Sequence, residues 1–271
     1  MLTNGMAITA KGMMATLDMN DNVAHNLANV NTAGYRRSNL LFKNVYNALV
    51  EPTSTTNLME NQSSPVGTIS MGSETQKVVY EFSQGTLART DRALDVAIEG
   101  DGFFKVVNAD GEISYTRNGE FCINNKRMLV TRDGEVVLDP LSKPIVINLT
   151  ENQIKTMNDI VFGERGEIEV ITDDQQRIRL QSLGIFDFSD KENMKYLGNA
   201  KFIPTNMNVN PELRAEKFTI QQGAIEQSNS NVINEMVNMI NVSRSYETMS
   251  KFMKQENDLL STAINLSRVK L

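Results

Sequence analysis

Residues 224–271 read AIEQSNSNVINEMVNMINVSRSYETMSKFMKQENDLLSTAINLSRVKL, 48 residues with neither glycine nor proline. No residue in that run forces a helix to stop. Met239, Val242, Tyr246, Met249, Met253, Leu260 and Ala263 recur at three- and four-residue spacing, broken only by Glu256. Phe252, Leu259 and Leu266 form a second line beside them. Two adjacent apolar lines make a helix face wide enough to meet more than one neighbour. At about 1.5 Å of rise per residue, about 40 residues of such a helix make a rod of about 60 Å.

The other end of the chain has the same character. Met6, Ala10, Met13, Leu17, Ala24 and Leu27 keep a four-three spacing, interrupted at Asn20, which is a narrow seam of the coiled-coil kind. Asn29, Asn31 and Gly34 then tolerate the left-handed conformation that ends a helix, and Gly34 is the natural turning point. Charge follows the same division. The formal net charge is −6. Residues 1–38 hold Lys11, Arg36 and Arg37 against Asp18 and Asp21, and residues 224–271 balance their basic and acidic side chains, so the acid excess lies in the middle. A pI near 5.1 argues against nucleic acid or an anionic membrane as the main partner.

Between the ends the periodicity changes. All six prolines fall between Pro52 and Pro211. Residues 39–75 are mixed, and Glu51 to Ser73, rich in Pro, Thr, Ser, Asn and Gly, reads as a long loop that cannot bury enough surface to offset its ordering entropy. From Lys77 to about Thr219 the pattern is that of strands. The candidates are Asp95–Ile98, Phe103–Val107, Met128–Thr131, Glu135–Leu138, Pro144–Ile147, Glu167–Ile171 and Arg177–Phe188. Asp110-Gly111, Asn118-Gly119 and Asp133-Gly134 supply hairpin dipeptides between strands. Short strands at close intervals point to an antiparallel sandwich or barrel-like body. The expected fold is therefore α+β: paired N- and C-terminal helices, a coiled-coil domain, framing a β-rich antiparallel body.

Catalytic constellations are not evident. His25, the sole histidine, lies in the N-terminal helix with no ligand cluster near it, and Cys122 reads as a small strand hydrophobe between Phe121 and Ile123. Gly100-Asp101-Gly102 precedes a strand and not a helix, so it reads as a tight turn and not a phosphate loop. Asp173-Asp174 and the Asp187/Asp190 pair are ordinary turn chemistry, without the spacing of a calcium loop. No metal or cofactor is expected. The chain has no Trp and few aromatics, which argues against a sugar-binding or base-stacking cleft. No apolar run approaches the ~20 residues that cross a bilayer, so direct membrane insertion is not expected. Residues 1–14 lack the pattern of a cleavable secretory signal. Fifteen methionines, concentrated on the helices, suit either adaptable core packing or a surface that repacks against non-equivalent neighbours.

The helix exit Asn26-Leu27-Ala28-Asn29-Val30-Asn31-Thr32-Ala33-Gly34-Tyr35-Arg36 closely resembles a signature of bacterial flagellar rod and hook proteins. Ser230-Asn231-Val232 through Glu235 to Ile240, then Arg244-Ser245-Tyr246-Glu247, resembles that family's C-terminal signature. Ser83 to Leu87, Leu94 to Ile98, Gly100 to Phe104 and Tyr115 to Gly119 resemble its β-domain. Two positions depart from the pattern. His25 stands where the family usually has Asn, and the usual Ser-Asn-Val-Asn reads Ser-Asn-Val-Ile at Ser230 to Ile233.

The resemblance implies an axial structural subunit, not an enzyme, exported through the flagellar type III apparatus without a cleaved signal peptide and built into the basal body. It also implies partners: copies of itself in a helical homopolymer, and other flagellar axial proteins. The implied layout is residues 1–38 and 223–271 as the helices of an inner coiled-coil domain, 39–76 as a linker that orders on assembly, and 77–222 as the outer β-rich domain. Subunit contacts are expected at Met6, Met13, Leu17, Leu27, Asn29, Gly34, Tyr35, Met239, Val242, Tyr246, Met249, Met253 and Leu260. The length fits a rod subunit with a β-domain better than a hook subunit, and the long linker favours a distal over a proximal position. Two rivals remain: a secreted binding module on a helical stalk, needing an aromatic-lined pocket in residues 77–219, and a hydrolase, needing a convergent acid/base pair there.

Overall fold

The structure, a computed structural model, describes residues 2–49, 68–147, 160–171 and 176–268. Helix α1 spans Leu2–Ala28 and helix α2 spans Val232–Arg268. The strands between them are paired antiparallel wherever their register is defined. The chain divides into two compact units: Met1–Leu27, Ser38–Val79 and Val232–Leu271 form one, and Ala28–Arg37 with Tyr80–Asn231 form the other.

In the first unit, α1 buries Ala15, Thr16, Val23 and Asn26, while Met14 and Leu17 are exposed. The large apolar side chains at Met6 and Met13 are only half-buried. The reason is close approach. Gly5 and Gly12 each weaken a helix by about 1 kcal/mol relative to Ala. A Cβ at Gly5 would lie 2.4 Å from a Glu256 carboxylate oxygen, and one at Gly12 would lie 3.2 Å from the Met249 sulfur. The two close approaches of α2 to α1 thus fall at glycines of α1, beside the half-buried Met6 and Met13. On α2, Val242 is buried and Met239, Tyr246, Met249, Met253 and Leu260 are half-buried.

Strands Ser38–Leu49 and Thr68–Tyr80 pair in a two-stranded sheet. The expected loop from Glu51 to Ser73 thus ends earlier than read, because Thr68 to Ser73 already belong to a strand; residues 51–67 lie outside the described residues. Pairing of this kind is made by backbone groups and does not require the apolar run that the sequence lacks. Polar contacts tie the ribbon to α1. Thr75 Oγ1 donates to Asp18 Oδ2 at 2.6 Å, and Asn22 Nδ2 donates to Ser38 Oγ at 2.7 Å. Asn26 presents its whole amide to one residue, giving Nδ2 to the Ser38 carbonyl and taking the Ser38 N–H on Oδ1, both at 2.9 Å.

The second unit is the β-body. Its main sheet runs in the order 194–198, 201–204, 113–116, 103–107, 136–137, 129–131, 121–123, with 185–187 also paired to 103–107. Strand Phe103–Val107 lies at the centre and is buried on both faces. Successive side chains of a strand point to opposite sides. Phe104 accordingly joins the larger core with Ile98, Phe121, Leu129, Ile145, Ile160 and Ile168, while Phe103 joins an aromatic cluster with Tyr115, Phe186, Phe188, Met194 and Phe202. Burial of each such side chain contributes about 1.5–3 kcal/mol. A three-stranded sheet of Ile160–Phe162, Glu167–Ile171 and Arg177–Ser182 adds to the larger core. The expected long strand Arg177–Phe188 is broken at Leu183-Gly184, where Gly184 leaves 2.7 Å between its missing Cβ and the Asp139 carbonyl.

Two short ribbons join early and late parts of the chain: Val96–Gly100 with Phe218–Gln222, and Leu87–Arg89 with Ala224–Glu226. The body therefore continues past the expected boundary at residue 222. Gly223 (φ +71°) is a turn between strands whose carbonyl accepts from Thr90 N–H at 2.8 Å, and α2 starts only at Val232. Asp110-Gly111 and Asp133-Gly134 make the expected turns, with φ of +86° and +87° at the glycines. Asn118-Gly119 does not. A Cβ on Gly119 would fall 1.7 Å from the Val96 carbonyl oxygen, so this glycine serves close backbone approach.

Candidate site: a buried junction and two uncovered helix faces

Three segments distant in sequence converge inside the β-body, and each carries one of the motifs that stood out in the sequence. The chain leaving α1 turns at Asn29, whose carbonyl accepts the Thr32 N–H at 3.1 Å and whose Oδ1 lies 3.2 Å from Thr32 Oγ1. Gly34 follows at φ +70°, with its N–H on the Glu226 carbonyl at 2.8 Å and its missing Cβ 2.4 Å from Asn118 N. No side chain fits there. Tyr35 and Arg36 are fully buried, and Tyr35 meets Tyr196 edge to face at 6.3 Å.

Glu226 is the centre of the junction. Its Oε1 accepts Arg36 Nη2 at 2.7 Å and the Gly85 N–H at 2.9 Å, and its Oε2 accepts Arg117 Nη1 at 3.2 Å. Arg117 also donates to the Gly100 carbonyl at 2.8 Å and lies over the Phe103 ring at 5.3 Å. Burial pushes the Arg117 guanidinium down to about 10, with the Glu226 carboxylate opposing that shift. Gly85 has no room for a side chain, since a Cβ would lie 2.0 Å from the Gln227 carbonyl oxygen. Nearby, Asn229 takes the Arg37 N–H on Oδ1 at 2.7 Å and gives Nδ2 to the Glu81 carbonyl at 2.8 Å. One carboxylate and one amide thus bind the outgoing, returning and final segments together.

Gly34 and Tyr35, expected at subunit contacts, are therefore enclosed by the chain's own body: the signature there secures the chain to itself. The helix residues are placed differently. Met6, Met13 and Leu27 are half-buried and Leu17 is 48% exposed on α1. On α2, Phe252, Leu259 and Leu266 are 53%, 61% and 66% exposed, as are Ile233, Met236, Val237 and Ile240 in its first turns. His25 and Ile233, the two departures from the family pattern, both sit on exposed helix surface. Glu226 and Asn229 were not singled out from sequence. Their partners lie up to 192 residues away, so no local spacing signals them.

Among the described residues, no group of three or more His, Cys, Asp or Glu could hold a metal, and no helix is long and apolar enough to cross a membrane. Cys122 lies half-buried in strand Phe121–Ile123. Asp190 caps its own turn through the Asn193 N–H and Asp187 pairs with Lys191, while Asp173 and Asp174 lie outside the described residues. The aromatic side chains that a binding module would need on its surface pack against one another in the interior, Tyr115 on Phe188 at 4.7 Å.

Comparison with known proteins places this architecture. Residues 97–170 match the model of the flagellar hook protein FlgE/F/G D1 domain, and residues 221–266 match that of the flagellar basal body rod FlgEFG protein C-terminal region. The chain is 34% identical to the flagellar basal-body rod protein FlgG of Buchnera aphidicola subsp. Baizongia pistaciae, over 88% of this chain and 90% of that one. It is 33% identical to FlgG of Borreliella burgdorferi over 96% and 97% of the two chains. Its identity to the flagellar basal-body rod protein FlgF of Rhizobium meliloti is 28% over 97% of each. On likeness that runs nearly from end to end, the chain belongs to the flagellar basal-body rod protein family.

Proposed function

We propose that this chain is a structural subunit of the bacterial flagellar basal-body rod, in its distal part, and that it polymerises with copies of itself and abuts other axial proteins into a hollow shaft that transmits torque. The observation that carries the reading is the run of large apolar side chains left uncovered along α2, from Ile233 to Leu266, together with Met14 and Leu17 on α1. Uncovered apolar surface of this extent marks an interaction face. A contact of that kind, repeated without closing, generates a helical polymer. In the assembled rod the two terminal helices pair as a coiled coil, for which the Gly5–Glu256 and Gly12–Met249 approaches are the support, and subunit contacts include Met6, Met13, Leu17, Leu27, Met239, Val242, Tyr246, Met249, Met253 and Leu260. Five relatives named FlgG are 30–34% identical to the chain, against 28% for a relative named FlgF, which favours the distal over the proximal position. Delivery is through the flagellar type III export apparatus.

The test is a pair of substitutions on the uncovered face, Phe252→Asp and Leu259→Asp. Exposed substitutions usually change monomer stability by no more than about 0.5 kcal/mol. The expected result is an unchanged melting transition of the β-body with loss of rod assembly and swimming. Normal rods and normal swimming in both variants would show that the face is not an assembly surface.

A further inference from the structure

We infer that Glu256 sets the register of α2 on α1 by serving as the acidic residue of the α1 N-terminal turn. The inference rests on the helix pairing proposed above. Gly5 and Gly12 are seven apart on α1, and the side chains seated over them, Glu256 and Met249, are seven apart on α2. The two contacts fix an antiparallel register. Continued by sevens, it sets Met19 opposite Val242 and Asn26 opposite Glu235, and Val242, Asn26 and Glu235 are all buried.

The apolar lines alone do not select that register. Met239, Val242, Tyr246, Met249, Met253 and Leu260 repeat by heptads, so a slip of seven residues replaces one apolar contact with another. Glu256 is the single break in the line, and it distinguishes the alternatives. The first N–H groups of a helix lack partners within it and carry its positive dipole end. The first turn of α1, from Leu2, has no acidic residue of its own. In the observed register the Glu256 carboxylate lies against Gly5, on that end of the helix. Slipped by seven one way, the carboxylate passes beyond the start of α1; slipped the other way, it faces Gly12 in mid-helix, where no free N–H is near. Its Oε2 is shielded from water with no hydrogen-bond partner, so the arrangement costs stability and returns specificity.

Disulfide trapping in the full chain tests this, with Cys122→Ser to remove the native thiol. One reporter pairs Gly12→Cys with Met249→Cys, which the observed register brings together. The other pairs Gly12→Cys with Val242→Cys, which only a seven-residue slip brings together. With Glu256 present, the first disulfide is expected to dominate. In Glu256→Leu, which keeps the line apolar and removes the charge, the ratio of slipped to in-register product is expected to rise about two- to fivefold, and Glu256→Asp should restore it. An unchanged ratio in Glu256→Leu would overturn the register role while leaving the pairing intact. Failure of either disulfide to form with Glu256 present and the β-body folded would remove the pairing itself, and this inference with it.

Discussion

Glu226 holds two arginines and a backbone N–H with one carboxylate, and the carboxylate and both arginines are buried. Taking away one partner of a buried ion pair leaves an uncompensated charge, which costs about 3–5 kcal/mol. Glu226→Gln should therefore lower the stability of the β-body by that amount, read as a shifted denaturant midpoint with the slope unchanged; a shift under about 1 kcal/mol would mean that the charges are not essential to the junction. The glycines make a finer comparison. Gly111 has φ +86° and no atom within 4 Å of a missing Cβ, so Gly111→Ala meets only backbone strain of about 1–2 kcal/mol. Gly119, with the Val96 carbonyl 1.7 Å from its missing Cβ, must push two strands apart. Gly119→Ala should melt the body at a clearly lower temperature than Gly111→Ala, and equal melting temperatures would contradict the close-approach reading. A sequence shows both as the second residue of a turn dipeptide, because φ is local and the Val96 carbonyl is not. Tyr35 is alike in this: its motif is legible, but the segments that enclose it are brought to it only by the fold.

At the scale of elements, the aromatic cluster has a pH signature. Tyr80 packs on Tyr196 at 5.2 Å and on Phe202 at 5.3 Å. Burial, with the neighbouring Tyr196 phenol second, pushes the Tyr80 phenol up to about 12. Burial likewise raises Tyr115 and Tyr196. A raised folded-state value contributes stability that is fully present below the ordinary phenol value of 10.0 and is lost as the pH climbs through about 12. Phenolate absorbance of the folded body should accordingly stay low just above pH 10 and rise together with unfolding; smooth titration of these phenols in a still-folded body would contradict the packing. Elements with strong periodicity were legible. Phe103–Val107 and Glu167–Ile171 match the reading end for end. On α1 the periodicity weights large apolar residues, whereas the close approaches to α2 fall at Gly5 and Gly12. Strands such as Leu87–Arg89 and Ala224–Glu226 were missed because three residues carry no period and the pairing partner lies far along the chain.

For the whole molecule, the β-body completes its own core, and the proposed role of the terminal helices is to keep apolar surface for neighbouring copies. Free energies of local opening vary across a structure, lowest where little apolar surface is buried and highest in the core. The most direct measurement is amide hydrogen exchange on a dilute monomer and on the assembled polymer, read separately for residues 2–28, 80–231 and 232–268. The account predicts slow exchange of the 80–231 core in both states, with the helices exchanging fast in the monomer and slowly in the polymer. Helices equally protected in a verified monomer and in the polymer would show that assembly covers nothing on them, and would contradict the claim that they are the polymerisation surface.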